Sequence, residues 1–498
     1  MCPDIPVFSL TQTQAPSFVV WVDDSGVARA RDARTGNVIA ESSDHASVIQ
    51  AAIDSVSGKG GIVALKGSFT VYKRISLVSN LVLDLREAFI KLADNSNPDD
   101  IFYGQGVSDV EIIGGTIDGN KAANTQYVTE PIAFNKATRV RVRGVRVVNA
   151  AGFAIWFGVL SPYTYPSDYS EDIVIEGCIV EYPAKQGITV GGAKKVIVRN
   201  NIVVGWNSGN TDAPIGLGVD SVEDCLVEGN VLDGGGIAYG QVGIRVERYY
   251  TKRVVVRGNV VYRANGDGIA IVGTSGQAPL TDVLVEGNVV AHPGSSGIAA
   301  WNPVEKITVK GNIVHHAKYC GIALAGGRAG EIKHVVVEGN VVYDNNQAKS
   351  ELFSVGSGIM VSYVDYFLIT GNRVFDDQAT KTQACGIYPL LSRYGLVAEN
   401  NVHDGGSGAN IYLDLCTDVV CRRNKGHPTE AGGAATIPAG QTSVTVNHGL
   451  ALTPTKVLVT PTGNLGAVWV ENITSTTFTI RCSTAPAADT VVYWYAEA

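Results

Sequence analysis

Residues 254–261 read VVVRGNVV, and residues 283–290 read VLVEGNVV. The same frame returns as VIVRNNIV, CLVEGNVL, ITVKGNIV, VVVEGNVV, FLITGNRV and LVAENNVH between residues 196 and 403. A turn of variable length follows each copy, and then a second phrase of the form G-I-x-V, as in GITV from Gly187, GIAI from Gly268 and GIAL from Gly321. The unit runs from about residue 107 to 425 with a period of about 22 to 32 residues. Apolar positions alternate throughout, which predicts strands and excludes a helical repeat. One Asn marks each unit: Asn201, Asn230, Asn259, Asn288, Asn312, Asn340, Asn372 and Asn401. An amide recurring at one turn stacks on its neighbours, donating to one rung and accepting from the other. The preceding Gly supplies the positive φ of such a bend. These features predict a parallel β-solenoid whose coils rise ~4.8 Å each and bury a continuous core.

The chain has 498 residues with 39 Lys+Arg against 47 Asp+Glu, a net charge of −8. That balance lacks the basic face of a nucleic-acid binder. No apolar run is long enough to span a membrane as a helix, and MCPDIPVFSL at the N-terminus lacks the basic and apolar regions of a secretion signal. The 8 cysteines form no CxxC pair and no His/Cys cluster with zinc spacing. They read as small buried hydrophobes, with Cys416 and Cys421 open to pairing. Only 2 Met hint at a thermophilic source.

The repeat resembles the right-handed parallel β-helix of the pectin-lyase-like superfamily over roughly residues 45–425, and GGTIDGN at 114–120 resembles an early-coil sequence of that group. The expected class is therefore all-β: a right-handed, single-stranded parallel β-helix with caps at its ends. Residues 44–55, DHASVIQAAIDS, form the helical cap, with Asp44 as N-cap. Before it, residues 1–43 carry a β-hairpin that resembles the leaders of β-helix proteins from thermophilic archaea and their viruses. After the 44–427 helix domain, PTEAGGAA reads as a linker. The rest of 428–498 reads as five or six antiparallel strands, resembling the sandwich of phage tail and H-type lectin modules. That resemblance implies either trimerisation or carbohydrate binding, and for the whole chain an extracellular or virion-associated homotrimer.

One copy of the second phrase stands apart. GIRVERYY at 243–250 alternates Arg245 with a carboxylate, Glu247. In the superfamily this strand lines the substrate groove. Aligning the phrases puts Trp156, Gly191, Gly218, Glu247, Val272 and Trp301 in one outward column. Trp156 then lies three rungs below Glu247 and Trp301 two above. Asp220 falls in the adjoining column, with its Cα about 8 Å from that of Glu247. Small residues leave room for pyranose rings, and Trp156, Trp301 and Tyr249 offer faces on which sugars stack. Paired carboxylates are the acid and base or nucleophile of glycosidases, and Arg245 would keep one ionised. Asp267 in NGDGIAI resembles the second Asp of the polygalacturonase G-D-D-C-I-A-I motif, so the partner of Glu247 is either Asp220 or Asp267. NTDAPI at 210–215 and GIRV at 243–246 echo two more polygalacturonase motifs, but their spacing differs and G-H-G is missing. A second set, Arg263, His292, His316 and Asp344, falls at one turn of successive coils, with Lys318 and Tyr319 nearby. Such a set suits proton abstraction beside a uronate.

The expected function is therefore a glycoside hydrolase acting on polysaccharide, with no nucleic-acid partner and no required cofactor. The alternatives are a polysaccharide lyase or uronate C5-epimerase, for which calcium is a candidate ion, and a non-catalytic viral receptor-binding spike.

Overall fold

In a computed structural model, residues 15–158, 168–211, 214–236, 238, 241–248, 250–403 and 409–498 are described. The repeat forms three stacks of short parallel strands, each strand pairing with its counterpart one coil away. The coil holding Val242–Glu247, Lys252–Arg257 and Val260–Tyr262 is typical. Its strands pair in register with Ile269–Val272, Leu280–Glu286 and Val289–Ala291 of the next. Val227, Val256, Val285, Val309 and Val337 point inward in one column and are wholly buried. Stacked coils thus share one continuous apolar core.

The Asn ladder is continuous. The Nδ2 of Asn201 donates to Oδ1 of Asn230 at 2.9 Å, and the same bond repeats through Asn259, Asn288, Asn312, Asn340 and Asn372. Each Oδ1 also accepts the backbone N–H of the Asn before it, as Asn288 does from Asn259 at 2.9 Å. One position differs from the sequence reading. The rung after Asn372 is Asn400, not Asn401, and the ladder runs on to Asn424. The reason lies at Gly395, which pairs with Phe367 in the register. A Cβ at 395 would meet the Phe367 ring at 2.2 Å, so this coil holds a Gly where the coils before it hold a larger apolar residue such as Val335 or Ile307. The frame read by apolar residues alone then slips by one.

The helix His45–Val56 caps the first coil, its N-terminus held by Asp44, which accepts from Ser47 N. Phe18–Val22 and Ala28–Asp32 form the expected hairpin, and the first of these also pairs in parallel with Gly61–Val71, stitching the hairpin to the first coil. At the C-terminus, six strands make two three-stranded antiparallel sheets. PTEAGGAA is not a linker: Glu430–Ile437 is a strand paired with Thr490–Glu497. Gly433 faces Trp494, and a Cβ there would come within 3.0 Å of the indole. All seven described cysteines are free, so Cys416 and Cys421 are not bridged. Among the described residues no helix is long and apolar enough to cross a membrane.

Candidate functional site

The groove-facing stack contains Ile215–Glu228 and Val242–Glu247, and their register decides the site. Gly218 pairs with Arg245, and Asp220 pairs with Glu247. The expected columns are therefore corrected. Gly191, Asp220, Glu247, Val272 and Trp301 share one column; Trp156, Thr189, Gly218, Arg245 and Ala270 share the other. The phrase that holds Trp156 is displaced by two residues, Ile155 rather than Phe153 pairing with Ile188, and Asp220, not Gly218, is the residue that pairs with Gly191 and Glu247. Asp220 and Glu247 are consecutive rungs of one column, ~4.8 Å apart along the axis rather than offset.

Both carboxyls are largely sheltered, with side chains 20% and 14% exposed. Burial pushes both above the ordinary carboxylate range. For Glu247, Arg245 opposes this and Asp220 reinforces it; for Asp220, Arg248 opposes it. Arg245 Nη2 lies 2.7 Å from Glu247 Oε2, and Arg248 Nη1 lies 3.5 Å from Asp220 Oδ2. The buried Nε of Arg245 has no partner among the described residues. The pair lines a cleft of about 210 Å³ whose opposite end is Trp156. Its floor has to be glycine in places: a Cβ on Gly158 would overlap the Trp156 indole at 1.7 Å.

Asp267 does not join the pair. Its Oδ1 accepts the backbone N–H of Ser296 at 3.0 Å, and its Oδ2 accepts the indole N–H of Trp301 at 3.2 Å. It orients Trp301, two rungs above Glu247 in the same column. Tyr249, the Tyr-rich stretch 159–167 and Asp212 of NTDAPI lie outside the described residues.

The second set forms as aligned. Arg263, His292, His316 and Asp344 all adopt positive φ at the turn that leads into the groove strands. Arg263 is tied by two bonds to Asp233, and Tyr319 is half-buried under Lys318 Nζ, 5.6 Å from its ring. What the sequence reading missed is His315, beside His316. The three rings of His292, His315 and His316 bring a ligand atom each within 4.8 Å of one another. No local spacing signals this, because the rings come from two coils.

A second sheltered carboxyl pair was also missed, Asp100 buried and Glu130 half-buried. Glu130 and Asp100 are in register on adjacent groove strands. Burial, reinforced by Asp100, pushes Glu130 up to about 8. Burial lifts Asp100 to about 6 against the pull of Arg74 at 2.6 Å. A raised carboxyl holds its proton more tightly when folded. Its stabilising contribution is therefore complete at acid pH and is lost as pH rises toward about 8. Glu130→Gln is expected to flatten the decline of Tm across that range, measured by thermal melts at a series of pH values. An unchanged slope would show that Glu130 does not carry it.

The comparisons with known proteins agree with this architecture. A family model described as right handed beta helix region matches residues 170–312 and 296–451. The A-module of mannuronan C-5 epimerase AlgE6 from Azotobacter vinelandii is similar at 16% identity and TM-score 0.51, covering 76% of this chain and 95% of its own. The tailspike protein of E. coli bacteriophage HK620, in complex with a pentasaccharide, is similar at 14% identity and TM-score 0.59, covering 93% of this chain and 91% of its own. A double mutant of that tailspike gives a TM-score of 0.61 at the same identity and coverage. No curated protein matches the chain. The stacked parallel strands, the Asn ladder and the family match over more than half of its length agree: the chain belongs to the right-handed β-helix family.

Proposed function

We propose that the protein is a polysaccharide-cleaving glycoside hydrolase whose working pair is Asp220 and Glu247. The observation that carries the reading is their register: two sheltered carboxyls on consecutive rungs, each facing an arginine, in a cleft with a Trp at its end. The closer arginine contact assigns the carboxylate role to Glu247 and the proton-donor role to Asp220. Asp220 then donates that proton to the glycosidic oxygen as the C1–O bond breaks, and the Glu247 carboxylate stabilises or attacks C1. Water completes the reaction, and Asp220 recovers its proton from it. The one-rung spacing favours the short carboxyl separation of retaining enzymes. Arg245 and Arg248 supply the positive charge, so the scheme needs no cofactor. Trp156 and Trp301 are the sugar-stacking faces, with Asp267 positioning Trp301.

The likeness to a tailspike that holds a pentasaccharide favours, as a second reading, glycan binding without cleavage, and with it an extracellular or virion-associated place. A screen of neutral and uronic polysaccharides separates the readings. New reducing ends without ultraviolet absorbance of an unsaturated uronate support hydrolysis. Both signals together indicate β-elimination and shift the chemistry to Arg245 or the His292/His316 turn. Neither signal, with glycan still bound, supports the spike.

We propose further that the protein assembles as a homotrimer. Ile197, Leu226, Val255 and Leu284 form an apolar outward column on the second strand stack and line a concave surface of about 750 Å³. Apolar columns of this kind suit a subunit interface. Sedimentation equilibrium is expected to return a trimer, and Val255→Glu to dissociate it; a monomeric wild type would remove this part of the reading.

A further inference from the structure

We propose that His292, His315 and His316 form a binding site for one divalent transition-metal ion of the zinc class, clipping two adjacent coils together. The proposal stands apart from the hydrolase reading and uses none of its residues.

The geometry points to it. His292 follows Val289–Ala291 in one coil, while His315 and His316 lie at the same turn of the next. The candidate nitrogens lie within 4.8 Å of one another. The Nδ1 atoms of His315 and His316 face each other at 2.9 Å. Imidazole nitrogens around a tetrahedral zinc sit ~2.0–2.1 Å from the ion, so small ring rotations would bring the three into one coordination sphere. Two Nδ1 atoms pointed at each other can share at most one proton between them, and an ion in that space would serve both.

The rings are already oriented from outside. His315 stacks on Tyr343 at 4.9 Å and 13°, and Tyr343 stacks in turn on Phe375. His292 packs edge-on against Tyr262. The Nε2 of His316 lies 4.0 Å from Asp344 Oδ2, one coil further on. At that distance the carboxylate is a charge neighbour rather than a hydrogen-bond partner, and its negative charge beside the far nitrogen of a ligating His raises that ligand's basicity. The nearby guanidinium of Arg263 is paired to Asp233, which reduces its repulsion of a cation. An all-imidazole set selects Zn²⁺, Ni²⁺ or Cu²⁺ and discriminates against Ca²⁺ and Mg²⁺, which take oxygen ligands. Three protein ligands leave a position open for water or a substrate oxygen.

The test is zinc binding by the full, tag-free chain after chelation, with competition against a chromophoric chelator and thermal melts in parallel. The expected result is one Zn²⁺ per chain, a rise in Tm on adding Zn²⁺, and no response to Ca²⁺. His292→Ala and His315→Ala are each expected to weaken binding by at least about 100-fold and to abolish the Tm rise, and Asp344→Asn to weaken it about tenfold. The exposed ring of His292 makes His292→Ala the variant to read if His315→Ala folds poorly. Absence of stoichiometric Zn²⁺ binding by the wild type, or undiminished binding by His292→Ala, overturns the proposal.

Discussion

Glu247→Gln is expected to lower kcat by at least about a thousand-fold while leaving folding and glycan affinity intact. The amide is isosteric and still faces Arg245, whose Nη2 lies 2.7 Å from Glu247 Oε2. It has no negative charge to stabilise or attack the anomeric carbon. Asp220→Asn is expected to fail differently. It should spare substrates with good leaving groups, which need no proton, and lose the rest. In the wild type, activity should fall at high pH as Asp220 loses its proton and at low pH as Glu247 gains one, both limbs displaced upward by burial. Steady-state kinetics with paired good and poor leaving groups checks all of this. Equal losses on both substrates in both variants would remove the division of roles between the two residues.

Asn288→Ala is expected to destabilise the chain by roughly 3–6 kcal/mol. The side chain is wholly buried. Its Oδ1 accepts both the backbone N–H and the Nδ2–H of Asn259. Its Nδ2 donates to Val256 O and to Asn312 Oδ1. Truncation leaves two buried donors without an acceptor and two acceptors short of a donor, at about 1–3 kcal/mol for each group left unpaired. Asn400→Ala should behave alike, because Asn400 holds the same rung position. Asn401→Ala should cost less than about 0.5 kcal/mol, since its Oδ1 has no partner to lose. Denaturant midpoints for the three variants check the ladder. An Asn401 variant as damaged as the Asn400 variant would contradict it.

The fold was legible because it repeats. A Val that is core in one coil is core in every coil, and the Asn at each bend needs the same partner above and below. Helix His45–Val56 was legible for a local reason, an N-cap Asp ahead of a stripe of apolar residues. Where the reading failed, a single residue had broken the phase. Gly395 stands in a core apolar position to admit the Phe367 ring, so the reading of the Asn rung after Asn372 slipped. Glycines at 432 and 433 read as a linker when they are strand positions, Gly433 lying against the Trp494 indole.

The site was half legible. Charge in a neutral frame marked Arg245 and Glu247, but the phase of neighbouring strands is a three-dimensional quantity. Phase put Asp220 beside Glu247 and moved Trp156 to the Arg245 column. Asp267 looked catalytic in a local motif, and only the fold shows that its carboxyl oxygens are taken up by Ser296 N and the Trp301 indole. His315 and the pair Asp100 and Glu130 were silent because their partners lie a full coil away in sequence.

The measurement that bears most directly on the central claim is the mass spectrum of oligosaccharides released in water enriched in heavy oxygen. Hydrolysis at Asp220 and Glu247 predicts one solvent oxygen in every new reducing end, and no product from the Glu247→Gln protein. Cleavage products that carry no solvent oxygen and bear a double bond instead, or undiminished labelled product from Glu247→Gln, would contradict it.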